Sequence, residues 1–432
     1  MGLSYFQLYR AGCAVHHFSA LACLACWLTA GALGQNVSDI RIEGLKRTSR
    51  EFVLRQLASK VGEPDSEAKR RLDVLYLDRL GIFSSIRIDL DNQPEGVILH
   101  VILRETLPMA PYVSITATED NGLAVGPALS IINLWGRAYL ANVAVESGGS
   151  TSVYLRFSSP LLAHSPWSYS LGFSRALRDN PVFHFAETSA TTDATLQYQF
   201  RPDLRLFSRI TVLSLSADQP GITLSPSGHD IVPTLFTELR YDSRDSWSNP
   251  LQGWFIGLGA SRNGFSGSPA SWWMGQLDMR WYRRISGRHT AAVFSLLSLQ
   301  TGQPGVTLPV YMTYGIGGTN TVRGWPVGAR QGRDQWLNTL EYRYQWVKPR
   351  PIRLFGRFNA YWGLHFAVYG DLGTAWTDPA DFSRDFIGSI GYGVRLMVPY
   401  IGMIRFDRAY GRGLRPVYGL GERADLWRER IR

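Results

Sequence analysis

Residues able to carry acid–base, nucleophilic or metal chemistry occur in this 432-residue sequence, but never in the spacing that such chemistry needs. Histidines such as His100, His164 and His289 stand singly, without a second ligand at loop or helix spacing. There is no intact G-x-S-x-G, H-E-x-x-H or P-loop. All three cysteines, Cys13, Cys23 and Cys26, fall near the N-terminus, which leaves the rest of the chain without a cysteine-based metal or redox site. The expectation is a protein that is not an enzyme and has no catalytic residue, metal or cofactor. The chemistry on offer is ion pairing. In Leu340-Glu341-Tyr342-Arg343-Tyr344, two-residue alternation sets Glu341 and Arg343 on the face opposite the apolar residues, and in Phe366 to Gly373 it sets Asp371 opposite Val368 and Leu372. Carboxylates on a shared polar face can each accept a bidentate pair from a guanidinium.

These residues need elements that place them, and the N-terminus says where those elements work. Arg10 is followed by the acid-free apolar stretch Ala11 to Leu33, with small residues at Ala32 and Gly34. Residues 1–34 therefore read as a secretory signal peptide cleaved before Gln35, a single transmembrane anchor being the competing reading. An exported chain without a disulfide must be stabilised by its own hydrogen bonds and packing, and a closed β-barrel does this. No later segment offers the roughly 18 consecutive apolar residues of a spanning helix, so a closed barrel is also the remaining way to cross a membrane.

The composition, 45% apolar and 19% charged, is that of a folded protein. Removal of residues 1–34, whose one charged residue is Arg10, lowers the formal charge from +10 to +9. The arginines are spread along alternating strands, which together with export argues against nucleic acid; lipopolysaccharide and the lining of a lumen are the expected uses.

Residues 35–108 differ from everything after them. Val37 to Leu45 reads as a strand, Ser49 to Lys60 as a helix with Phe52, Val53, Leu54 and Leu57 apolar, and Ser66 to Leu80 as a second helix stopped by Gly81. Ile82 to Leu90 and Gly96 to Arg104 then alternate as two strands, giving the order β-α-α-β-β of a small α+β domain. The last of these is expected to present an edge to which an extended polypeptide could add.

From 109 to 432 short two-faced segments take over. Trp167 to Phe173 is apolar at every odd residue, and in Trp273 to Tyr282 Gly275, Leu277, Met279 and Trp281 alternate with Gln276, Asp278 and Arg280. About sixteen such strands fit an antiparallel transmembrane barrel, against which a soluble sandwich or propeller is the rival. Trp135, Tyr139, Trp247, Trp254, Trp346 and Trp362 near strand ends fit an interfacial aromatic belt. The longest insertion, about 301–334, is of a size that is usually functional.

That insertion holds Val322-Arg323-Gly324-Trp325. It falls in order with Asp242-Ser-Arg244-Asp245 and Asn249-Pro250 before it and with Tyr369-Gly-Asp371-Leu-Gly373 after it. Gly391-Tyr-Gly-Val-Arg395, Pro399, Gly402 and Arg405-Phe-Asp407 close the series. With Ile42-Glu43-Gly44 and Leu80-Gly81-Ile82-Phe83 in the first domain, which resembles a POTRA module, the chain resembles the BamA/TamA family of bacterial outer-membrane assembly barrels. Two-partner secretion transporters are related.

The resemblance implies a barrel in the outer membrane and the first domain in the periplasm. It implies that the long loop folds into the lumen, where Arg323 pins it through Asp371 with Glu341 as second partner. The function it implies is an insertase that delivers β-strands to the barrel seam. A polypeptide secretion pore of the two-partner type and a passive channel are the alternatives, the single POTRA-like domain being fewer than either assembly or secretion barrels usually carry. Implied partners are outer-membrane lipid and lipopolysaccharide, unfolded outer-membrane or secreted clients, and a periplasmic or inner-membrane protein through the first domain. The sequence ends in Trp427 and a basic tail, not in the terminal aromatic usual for bacterial barrels.

Overall fold

The computed structural model describes residues 35–420 apart from 119, 120, 161, 163, 164, 247, 248, 266, 355–357 and 399–401. The signal-peptide stretch, its cysteines, Trp247, Pro399 and Trp427 with the basic tail lie outside the described residues.

The first domain comprises β1 (Val37–Glu43), α1 (Arg50–Gln56), α2 (Glu67–Arg79), β2 (Phe83–Gln93) and β3 (Gly96–Glu105). Ser49 and Ser66 cap the two helices by accepting from the backbone N–H of Phe52 and Lys69. Helix α1 stops four residues earlier than its apolar spacing suggests. The cause is Asp73 of α2, fully buried, whose carboxylate accepts from the N–H of Ala58 and from the N–H (3.1 Å) and hydroxyl (2.6 Å) of Ser59. Those donors are thereby pulled out of helical register. Asp73→Ala leaves three donors without their acceptor, two of them on buried Ser59, and should destabilise the domain by roughly 2 kcal/mol. The check is hydrogen exchange at Ala58 and Ser59 in the full chain, and unchanged protection there would refute the clamp.

The sheet order is β1-β3-β2, with β1 parallel to β3 and β2 antiparallel to it. The expected free edge at Gly96 to Leu103 is therefore wrong, since β3 is the central strand. The α1–α2 crossover carries the chain past the middle of the sheet, and the β2–β3 hairpin fills the gap. A readable signal existed, because Val97, Ile98, Leu99, Val101 and Leu103 are all buried, the near-continuous apolar run of a strand covered on both sides. The edges belong to β1 and β2.

Sixteen of the remaining strands form one antiparallel sheet in sequence order. They are β4 (Met109–Thr118), β5 (Gly122–Leu134), β6 (Tyr139–Gly148), β7 (Thr151–Ser158), β8 (Trp167–Asp179), β9 (Ala186–Arg201), β10 (Leu204–Ala217) and β11 (His229–Asp242). After them come β12 (Gly253–Asn263), β13 (Trp272–Ser286) and β14 (His289–Gln300), and then the long loop with its short hairpin β15 (Tyr314–Ile316) and β16 (Arg330–Gly332). The closing strands are β17 (Asp334–Leu354), β18 (Phe358–Trp376), β19 (Ile387–Val398), β20 (Gly402–Tyr410) and β21 (Leu414–Leu420).

Polarity is inverted relative to a soluble sandwich. In β13, Gln276, Asp278 and Arg280 are buried while Trp273 before them and Met279 between them are exposed. Leu258, Leu340, Val368 and Ile390 are each more than half exposed on the outside. Water does not select an apolar exterior around a charged interior; a bilayer does. Among the described residues no helix is long and apolar enough to cross a membrane.

One joint ties the domain to the barrel. The turn between β5 and β6 has left-handed backbone at Asn133, Trp135, Gly136 and Ala138, and Ala138 packs into the core of the first domain. Asn133 Nδ2 donates to Thr48 Oγ1 at 2.8 Å, and Glu105 gathers the N–H groups of Lys46, Arg47 and Thr48 at 2.9–3.1 Å. Partial burial of Glu105 raises its pKa, but the donors from Thr48, Arg47 and Lys46 outweigh it and hold the carboxyl below its usual range. A depressed pKa contributes stability above the unfolded value, near 4.3, and loses it as pH falls through the folded value. Protection of the amides at 46–48, relative to their intrinsic exchange rates, should therefore fall below about pH 4, and Glu105→Gln should flatten that dependence.

Candidate functional site: a buried arginine lock beside the β4–β21 seam

The loop from 301 to 333 enters the lumen and grips opposite walls. Gly315 and Gly328 abut Val182 in the β8–β9 connection, and Tyr311 donates to Asp230 at 3.0 Å. The tip is closed on itself by Thr321, whose hydroxyl accepts from Gly317 N–H at 2.7 Å, and by the Gly318 N–H donating to the Trp325 carbonyl at 2.8 Å. Val322 and Ile316 join the inward residues Phe294, Leu296, Leu337 and Ile387 in an apolar cluster. Gly373 makes room for Val322, because an added Cβ would lie 2.9 Å from its methyl group.

Arg323 is completely buried. Its Nε and Nη2 donate to the two oxygens of Asp371 at 2.8 and 2.9 Å, its backbone N–H adds a third bond at 3.2 Å, and Nη1 donates to Asp407 at 3.0 Å. The guanidinium lies 3.0 Å from the centre of the Tyr369 ring, and Thr339 donates to Asp371 at 2.9 Å. Glu341 sits further off, 4.0 Å from Arg323, and is held mainly by Arg343 at 2.7 Å and Arg395 at 3.2 Å. Arg395 also donates to Asp407, joining both halves of the cluster. Arg323, Arg343 and Arg395 are thus each paired with a carboxylate, as burial of charge requires. Arg405 lies across the β19–β20 ladder from Arg395 and is buried too.

Trp325 donates its indole N–H to the Gly388 carbonyl at 2.8 Å. Gly324 has φ +81°, and any Cβ there would meet the Gly411 nitrogen at 2.7 Å, so only glycine lets the tip press on the β20–β21 turn. Alternation alone puts Glu341 and Asp371 in the lumen. It missed Asp407 as Arg323's second partner, although the buried sequence Met403, Arg405, Asp407 and Ala409 alternates in the same way.

Asp242, Arg244 and Asp245 do not join this cluster. They build the β11–β12 turn at the rim nearest the first domain: Arg244 pairs with Asp242 at 2.8 Å, and Asp245 accepts from the N–H groups of Leu251 and Gln252.

The sheet begins at β4 and ends at β21, and these strands lie side by side. Among the described residues no hydrogen-bonded ladder joins them. Pro111 in β4 and Pro416 in β21 lack an N–H to offer.

An inverted-polarity barrel with an inward loop locked to its last strands, and a small α+β domain ahead of it, defines an outer-membrane β-barrel of the kind preceded by a POTRA module. A family model described as the Omp85 superfamily domain matches residues 133–413, and one for POTRA, described as surface antigen variable number repeat, matches 35–106. The chain belongs to the Omp85 superfamily. It is 23% identical over 405 residues to outer membrane protein assembly factor BamA of Nitratidesulfovibrio vulgaris strain Hildenborough, covering 87% of this chain and 48% of that protein. It therefore spans about half the length of that curated relative. Among solved structures it is similar to BamA from Haemophilus ducreyi lacking POTRA domains 1–3, with TM-score 0.66, 15% identity and coverage of 90% and 83%. It is also similar to CdiB from Escherichia coli, with TM-score 0.64, 12% identity and coverage of 90% and 75%. By family the barrel sits in the bacterial outer membrane and the POTRA domain in the periplasm.

Proposed function

We propose that the protein is an insertase that adds β-strands of unfolded outer-membrane clients to its own seam, with the Val322–Trp325 loop as the gate. The observation carrying this reading is that, among the described residues, β4 and β21 lie side by side without a ladder between them. Unpaired backbone groups in a bilayer cost several kcal/mol each unless another strand satisfies them, so a free edge is a template for an incoming strand. The Arg323 lock bears on β18 and β20, next to that seam, and couples loop position to the strands whose separation would open it. The exposed β2 edge of the POTRA domain is the place where an extended client or periplasmic partner would dock.

The likeness to CdiB keeps a second reading in view, a secretion pore passing an extended polypeptide through the lumen. The test separates them. Mature protein in liposomes should speed the folding of a small unfolded barrel, and Arg323→Ala should not. Ion conductance without acceleration would sink the insertase and favour secretion or passive transport.

A further inference from the structure

An unassigned surface lies at the periplasmic rim where β17, which carries Glu341 of the lock, emerges beside the β13–β14 hairpin. Arg283 and Arg284 at the end of β13, Arg288 in the turn that follows, and Lys348 and Arg350 in the adjoining stretch of β17 are all exposed. The two segments are neighbours, since Gln345 N–H donates to the Arg288 carbonyl at 2.8 Å. Among the described residues a carboxylate reaches one of these five, Asp245 to Arg284 at 3.6 Å. Elsewhere on this rim cations are closely paired, Arg201 with Asp203 at 3.3 Å and Arg244 with Asp242 at 2.8 Å. The sequence from Tyr342 to Gly370 holds no acid at all.

What this patch meets follows from its position under the aromatic belt. Trp281 of β13 lies 6.0 Å from Trp254, and Trp346 of β17 stacks on Phe366 at 5.3 Å, with Trp254 and Trp346 45% and 54% exposed. On β13 a cation follows the tryptophan by two residues, Arg283 after Trp281, and on β17 Lys348 follows Trp346 across a shift in the β17–β18 register. Two strand residues advance about 7 Å, or roughly 5 Å along the membrane normal for a tilted strand. The headgroup layer below the hydrocarbon is itself roughly 5–7 Å thick. The cations thus fall at phosphate depth when the tryptophans sit at the hydrocarbon boundary. Ile285, 60% exposed between Arg284 and Ser286 and on the outward alternation of Trp281 and Arg283, suits an apolar boundary better than an acidic protein surface.

We infer that Arg283, Arg284, Arg288, Lys348 and Arg350 form a binding surface for anionic phospholipid headgroups of the periplasmic leaflet. The surface fixes the depth of the wall bearing the lock, and it stands whether the barrel inserts or secretes polypeptide.

The test titrates detergent-solubilised full-length protein with phosphatidylglycerol or phosphatidylcholine and reads bound lipid by native mass spectrometry. Wild type should retain phosphatidylglycerol about fivefold more strongly, the preference of even one cation beside an anionic headgroup. The variant R283Q/R284Q/R288Q/K348Q/R350Q should fall to parity, and the β13–β14 triple and the β17 pair alone should each lose part of the preference. Heat-dependent gel mobility verifies that each barrel is folded. Equal retention of the two lipids by wild type, or a preference that survives in the quintuple variant, overturns the inference. Poly-glutamate binding that is lost in the variant while the lipids stay at parity would also overturn it, in favour of an acidic protein partner.

Discussion

Arg323→Ala is expected to free the loop tip from the wall. The substitution removes three side-chain hydrogen bonds and leaves Asp371 and Asp407, both buried, without their shared cation. Breaking a buried pair from one side costs roughly 3–5 kcal/mol, because the remaining charge is stranded in a poorly solvated place. Amide exchange across 317–325 should rise at least about a hundredfold, and acceleration of client folding should vanish with it. Arg323→Lys separates charge from geometry: an ammonium can neutralise one carboxylate but cannot hold Asp371 through a fork while reaching Asp407. It should behave nearly as badly as alanine. A lysine variant with full loop protection would show that net charge, not the fork, secures the loop.

A single methyl group on β19 should have the next largest effect. Gly393 lies opposite Asp407 in the β19–β20 ladder, and a Cβ there would sit 1.9 Å from the carboxylate and 2.5 Å from the Phe406 carbonyl. The carbonyl belongs to the ladder and cannot yield, so Asp407 must swing away from Arg323 and Arg395. Gly393→Ala should therefore weaken the lock by roughly 2 kcal/mol through overpacking and lost charged hydrogen bonds. Gly370→Ala is the control, since its Cβ would meet nothing closer than the Ser389 carbonyl at 3.8 Å. The readouts are loop exchange and the temperature at which the folded gel mobility is lost. Equal behaviour of the two alanine variants would refute the steric account.

Together the two substitutions ask whether the loop gates anything. Both act on the lock without touching the edges of β4 or β21. If they loosen the loop and leave client folding unchanged, the loop is a wall stabiliser and the gating role fails. If activity falls in step with loop release, coupling between lumen and seam is the simplest account.

Much was legible from local pattern. Two-residue alternation sorts Gln276, Asp278 and Arg280 from Trp273 and Met279, and Glu341 and Asp371 from their apolar neighbours, because on a strand the side chain's face depends on position alone. The serines at 49 and 66 announce their helices because a cap is a contact three residues long. Each of these rests on geometry within a few residues.

Tertiary structure decided the rest. That β3 is central follows from which strand the α1–α2 crossover leaves room for, and α1 is cut short by Asp73, a residue from the next helix. Arg323 meets Asp407 across 84 positions only because the curvature of the closed wall brings β20 under a loop that starts after β14. The seam is likewise invisible to alternation, since whether β4 and β21 pair depends on register carried around all sixteen strands. The sequence thus determined which side chains face the lumen, and closure of the barrel determined which of them meet.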